Sequence, residues 1–516
     1  MGSKRGFALA FLILSSGTAS AEAPLSAIDW LTRPAPAPVV KPPASDPARP
    51  AEPPISKSAT APDVTVAPLG GETLNAVGLL APSVTGLPVS LWQSSKAEDL
   101  TRLVAAQKVD THPSMQSLLY TLLLAEAAAP HDAKLNAEFL QSRVRTLISL
   151  GGVEPAQAML DPVATRAPEL FQLWFDATLL TGDEDKACAA LNRDTALSQS
   201  YAARVYCLAL GGDWNTAALT FDTARTLGLL TSSEISLLQH FLDPEEFEGE
   251  PLPLAPVRPT PLTFRLYEAV GEPLSTLTLP RAFAVADLRD TSGWKAQIEA
   301  AERLARTGAL SENRLLGLYT ERRPAASGGV WDRVSAMQRF DAAIAENNLN
   351  SIAVTLPRAW ASMEAARLED AFARAYAPKL LEMDITKGPG ELAYRVLLLS
   401  PQYEEAAVRF GDAFPARAFE TALAKGDLAD VNGHDELEGA IKTGFSVESK
   451  VPADIEALLG EGKLGEAILT TMLRFQTGAA GEPTALQGAL AAFRALGLEE
   501  TARRSALEVQ LLRRGV

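Results

Sequence analysis

Cysteine is almost missing from this chain: of 516 residues only Cys188 and Cys207 carry a thiol, and only four are histidine. Two cysteines are too few for a disulfide framework and allow a single bond. The histidines, His112, His131, His240 and His434, share no helical face with one another or with a nearby cysteine. His-Glu-x-x-His, Cys-x-x-Cys and Gly-x-Ser-x-Gly are all lacking, so neither a zinc site nor a nucleophile elbow has support, and no catalytic, cofactor-binding or metal-ligating set is assigned. Positive charge is short as well. With 47 Lys and Arg against 63 Asp and Glu, the formal net charge is −16. That balance argues against a general nucleic-acid binder, which needs a basic surface, and against electrostatic adhesion to anionic lipid. Long apolar runs are missing too. The stretch from Phe7 to Leu14 falls far below the roughly 20 residues that span a bilayer, and no later segment is longer and apolar. Strict apolar–polar alternation, the mark of strands, scarcely occurs.

The N-terminus has the order of an export signal: Lys4 and Arg5, the apolar run, then Ala19-Ser20-Ala21 as a small-residue cleavage site. Residues 1–21 are therefore expected to be a signal peptide and the mature protein to be periplasmic, exported and unanchored. Residues 22–85 hold an apolar island, Leu25 to Leu31, followed from about Arg33 to Pro68 by a tract dominated by proline and alanine. Such a tract favours extended polyproline conformation and prevents a packed core, so it reads as a disordered spacer. At about 3.1 Å per residue it holds Ile28, Trp30 and Leu31 on the order of 100 Å from the folded body. These three side chains read as a peptide that docks on a protein partner, with folding back onto the chain's own groove as the equal alternative.

From Gly86 onward apolar residues recur at three- and four-residue spacing, with glycine and proline marking the ends: Pro113, Pro130, Gly151-Gly152, Gly182 and Gly211-Gly212. The pattern predicts an all-α fold, a superhelical stack of helix hairpins in two blocks, 86–243 and 262–516, joined by an acidic and proline-rich connector, 244–261. The best-formed hairpin runs from Tyr201 to Gly228. Its first helix carries Tyr201, Val205, Leu208 and Ala209 on one stripe; its second carries Trp214, Ala217, Ala218, Phe221, Ala224 and Leu227. Asp213 is placed to cap the second helix. Tyr201, Gly212, Asp213, Trp214, Ala217, Phe221 and Ala224 together resemble a tetratricopeptide repeat, with departures at Val205 and Leu229. A weaker copy, Phe171, Trp174, Gly182, Asp183 and Ala187, precedes it at solenoid spacing. The resemblance implies an α-solenoid, and the hairpin is expected to be the rigid centre of the first block rather than a binding surface. The phrases SAIDWL, GLPVSLW, PRAFAVADL and RRPAASGGVWDR are similar to those of secreted alphaproteobacterial proteins, which implies a compartment and no mechanism.

Cys188 and Cys207 lie about equally far from the loop between two helices, so a hairpin would set them level. An oxidising compartment would then favour a bond worth about 3 kcal/mol in the chain-entropy model; two small buried residues on facing helices is the other reading. Three further patterns resemble chemistry. Gly460-Glu461-Gly462-Lys463-Leu464-Gly465 matches a dinucleotide fingerprint but follows a helix instead of a strand, and so reads as an interhelical turn. Ser292-Gly293-Trp294-Lys295 matches Ser-x-x-Lys without companion motifs. Asp427, Asp430, Asn432, Asp435, Glu436 and Glu438 crowd together with glycine at 433, off the spacing of a helix-loop-helix calcium loop, and read as a solvated acidic loop. Arg513 and Arg514 fit the negative pole of the last helix. The leading functional expectation is a non-enzymatic periplasmic scaffold or adaptor for proteins. A structural part of an envelope machine, such as a flagellar motor or secretion system, is a special case. The rival is a peptidoglycan-processing enzyme with a superhelical body, for which Glu448 is the only suggestive acid.

Overall fold

The computed structural model describes residues 74–133 and 137–513. Ile28, Trp30 and Leu31, like the proposed cleavage site and the spacer, lie outside the described residues. Within them the chain is all α-helix, linked by turns and short 3-10 segments, with one isolated parallel bridge between Leu80 and Ala125 in place of any strand. Glycine stops the helices where expected: Gly151 and Gly182 sit in the left-handed region, at φ 91° and 89°, and cap helices 138–150 and 168–181. Prolines were less decisive. Helices Leu349–Ala366 and Glu369–Glu382 run straight through Pro357 and Pro378. Beyond Pro378 the buried Leu380 and Leu381 continue the apolar stripe, and their burial offsets the roughly 3 kcal/mol an internal proline costs.

Successive helices pack on one another, as a hairpin stack requires, but the last helices also return to the first. Helix Leu464–Ala479 lies against Ala97–Ala105, and Glu499–Leu511 against Pro113–Leu124. The return is close-fitting. Gly465 donates its N–H to the Leu91 carbonyl at 3.0 Å, and a Cβ there would stand 2.4 Å from the Trp92 ring. Only glycine fits, which explains one glycine of the 460–465 motif: the motif spans an interhelical turn at Glu461–Lys463, and Gly465, in the first turn of the next helix, seats the indole. Gln107 spans the same seam, donating to the Leu469 carbonyl at 3.1 Å and accepting from Gln476 at 2.9 Å.

Helix Pro113–Leu124 stands at the centre of this closure and has no side-chain cap of its own. Its ends are held by other elements. At the N-terminus the buried Glu508 accepts from the Ser114 N–H at 2.8 Å and from the Ser114 hydroxyl at 2.7 Å. At the C-terminus Arg143, fully buried, donates to the carbonyls of Leu123, Ala125 and Val77, each at 2.8 Å. An acid thus meets the positive pole of the helix and a cation the negative pole. The Val77 contact also ties in the first described segment, where Gly78 passes so close to Ala125 and Glu126 that a Cβ would clash at 2.4–2.5 Å.

Residues 244–260 contain no helix, and a new helix begins at Pro261, capped by Thr260. The helices on the two sides of this stretch share one continuous apolar core. They also share a charged cluster. Arg265 reaches back to the buried Glu184 at 2.6 Å, Tyr206 donates to the same carboxylate at 3.0 Å, and Arg289 completes the chain through Glu268 at 2.7 Å. Arg513 differs from expectation. It pairs with the Asp435 carboxylate instead of resting on the helix end, because Asp435 caps helix Glu436–Phe445 and presents its second oxygen there. No helix among the described residues is long and apolar enough to cross a membrane.

Candidate interaction site

Cys188 and Cys207 are bonded, with Cα atoms 4.8 Å apart, and both are buried. The bond joins helix Asp185–Arg193 to helix Tyr201–Leu210, and Asn192 reinforces it by donating to the Cys207 carbonyl at 3.1 Å. Following the chain, Gly212 adopts φ 83° and the Asp213 carboxylate accepts from the Thr216 N–H, so helix Trp214–Thr226 starts where its cap places it.

That helix is where the structure departs from the expected rigid centre. It packs chiefly on helices 201–210 and 232–242. Ala217, Phe221 and Ala224 are buried as anticipated, whereas Ala218 is exposed, Trp214 is 50 % exposed and Leu227 65 %, because the stripe facing the neighbours is narrower than the apolar pattern. The hairpin lies at the edge of the fold, and its outer helix has too few neighbours to cover a full apolar stripe. Beside the buried stripe runs a second one, Thr216, Leu219, Thr220 and Thr223, spaced i, i+3, i+4, i+7, with Leu219 68 % exposed.

This second stripe forms one wall of a groove of about 470 Å³. Tyr201, Arg204 and Leu208 of helix 201–210 make the floor, and Asn192 and Thr195 make the opposite wall, with Leu191 buried behind them. The disulfide therefore fixes the floor to one wall. Over the floor the Arg204 guanidinium lies 4.6 Å from the Tyr201 ring centroid and donates to the carbonyls of Thr195 and Ser198 at 2.9 and 2.7 Å. No carboxylate among the described residues pairs with it. The groove was missed in the sequence because threonine does not register as apolar when stripes are counted. Its β-branched methyl nonetheless lines an apolar wall.

A second cavity, about 350 Å³, opens at the closure seam between 110–116, 305–306, 367–371 and 508–513. It is lined by both signs of charge, and most of these groups are already paired: Asp110 with Arg281 at 2.8 Å and Asp370 with Arg374 at 2.7 Å. His112 and Glu508 line it together. Burial pushes Glu508 up to about 7 against the lowering effect of Arg504 and Ser114, and burial lowers His112 to about 4. The cavity lies where the last helices cross the first.

The other marked residues are dispersed. His131 bonds the Ser95 carbonyl, His240 that of Ser236, and His434 the Glu438 carboxylate. In the acidic loop, Asp435 and Glu438 are engaged with Arg513 and His434, and no three His, Cys, Asp or Glu among the described residues converge on a metal position. Lys295 pairs with Glu299 at 3.6 Å instead of meeting Ser292. Glu448 is exposed beside a fully exposed Val447, outside any cleft described above. The chain matches no protein-family model, no curated protein and no solved structure.

Proposed function

We propose that this chain is an exported, non-enzymatic periplasmic scaffold or adaptor that holds segments of other proteins, using the groove on the Tyr201–Thr226 hairpin and the apolar residues Ile28, Trp30 and Leu31. The observation that carries the reading is the groove itself: a largely apolar channel whose floor is fixed to one wall by a buried disulfide. Binding sites gain from walls that are already in place, because ordering them costs nothing at the moment of binding. The export signal and the single disulfide support an oxidising compartment. A place within an envelope machine is one form of the same reading.

A photo-crosslinking amino acid at position 219, introduced into the chain in its native cells, tests this. Crosslinks to a defined protein, lost on Leu208→Asp, are expected. Absence of any specific protein adduct, both at position 219 and at position 30, would remove the reading.

A further inference from the structure

We propose that the occupant of the hairpin groove is an amphipathic helix of another protein. It would present apolar side chains spaced i, i+3, i+4 and i+7 to Leu208, Leu219 and the threonine methyls of the 216–223 wall, and a carboxylate to Arg204. The inference rests on the scaffold reading above and names the chemistry of the partner.

Three features of the groove select a helix. Its walls and floor are all helical, so no unpaired backbone edge is presented for an added strand. Polyproline ligands require open aromatic faces. The one aromatic ring here, Tyr201, has a guanidinium lying over it at 4.6 Å. The wall from Thr216 to Thr223 runs two helical turns, about 10 Å, with its side chains in a ridge of the i, i+3, i+4, i+7 type. A ridge of that kind packs against a complementary ridge of a second helix. Leu219, 68 % exposed, then stands as an anchor waiting for cover.

Arg204 sets the charge of the partner. Its two backbone acceptors hold the guanidinium in place without neutralising it, and no carboxylate among the described residues does so. Arg143, Arg303 and Arg409 are likewise held by backbone carbonyls, but Arg204 is the one of these that lines the groove beside the exposed Leu219. A fixed, partly covered guanidinium favours a carboxylate on the bound helix and disfavours a lysine.

The test uses the oxidised full chain and fluorescent synthetic helical peptides. One carries leucines at i, i+3, i+4 and i+7 with a flanking glutamate; the second has lysine in place of that glutamate; the third is a scramble of the first. Wild type is expected to prefer the glutamate peptide by about tenfold, the size of one partly covered charge pair. Arg204→Glu is expected to reverse the preference, Arg204→Gln to erase it, and Leu219→Asp to abolish binding of both. Circular dichroism and melting checks that each variant is folded. Equal affinity for the glutamate, lysine and scrambled peptides would overturn the proposal, as would binding that survives Leu219→Asp. So would a self-associated wild type that Leu219→Asp renders monomeric, because the occupant would then be a second copy of this chain. If position 219 crosslinks a protein in cells while wild type shows no peptide preference, only the helix assignment fails. If the peptides behave as expected and neither position 219 nor position 30 crosslinks any protein, the scaffold reading fails instead.

Discussion

Helix Pro113–Leu124 and helix Trp214–Thr226 have similar lengths and opposite situations. The first is uncapped by its own side chains and almost wholly enclosed, with Glu508 at one pole and Arg143 at the other, both supplied by other helices. The second carries its own Asp213 cap, sits at the edge of the fold and leaves Trp214, Leu219 and Leu227 exposed. The comparison teaches that local sequence quality and structural centrality are separate properties. A helix with good caps and a clean hairpin forms with few neighbours, and so can be spared for binding. A helix without them must be completed by distant parts of the chain, and its position then defines the closure.

The sharpest way to break the comparison is to remove a pole of the enclosed helix. Arg143→Met leaves three carbonyls that now share one guanidinium without a donor, at about 1–3 kcal/mol for each buried group left unsatisfied. A cooperative loss of several kcal/mol across the whole folded unit is expected by denaturant titration. A loss confined to residues 74–125 would show that the closure is not one cooperative structure. Replacing both Cys188 and Cys207 by alanine is expected to cost about 3 kcal/mol. The effect should be local: amide exchange should rise across 185–226 and change little in 113–124. Equal exchange in both helices would mean that the hairpin is not an edge element.

Next in size is the response to pH at the seam. Glu508 is raised in the fold to about 7, so the stability it contributes is present below the unfolded carboxylate range and is lost as pH rises towards 7. His112 is lowered to about 4, so its contribution is present above the unfolded histidine range near 6.5 and is lost as pH falls towards 4. Between about 4.5 and 6.5 the slope from His112 opposes that from Glu508 and from Asp176, which burial likewise raises, to about 6. Relative to wild type, Glu508→Gln should make the slope of stability against pH more positive in that window and His112→Gln should make it more negative, each by at most about 1.4 kcal/mol per pH unit. Parallel pH profiles for both variants would show that the two groups do not titrate in this way. The smallest effect belongs to the exposed helix: Leu219→Asp should change stability by no more than about 0.5 kcal/mol, because Leu219 is 68 % exposed. A loss above 2 kcal/mol would mean that the second stripe is packing surface and not a free wall.

Much of the molecule was legible in advance. Helical periodicity, glycine stops and the Asp213 cap are local signals, and each describes a group satisfied within a few residues of itself. The sequence set Cys188 and Cys207 level on a hairpin but left the bond open, because only the structure brings their Cα atoms to 4.8 Å. Continuation of helix Glu369–Glu382 past Pro378 is not a local signal, because the proline's local cost is outweighed by burial further along the same helix. Glu508 and Arg143 gave no signal. A single glutamate or arginine in a helical pattern looks like solvated surface, and only the return of helix Glu499–Leu511 onto 113–124 makes one of them a cap.

The amino-acid sequence alone determined that this chain is helical and where many of its helices stop, since those depend on interactions within one or two neighbouring turns. Tertiary packing decided that the last helices close on the first, that the clearest hairpin lies at the edge, and that Thr216, Leu219, Thr220 and Thr223 line a groove. Those outcomes depend on which surfaces are left uncovered once all the helices have competed for the same core, and no single stretch of sequence carries that information.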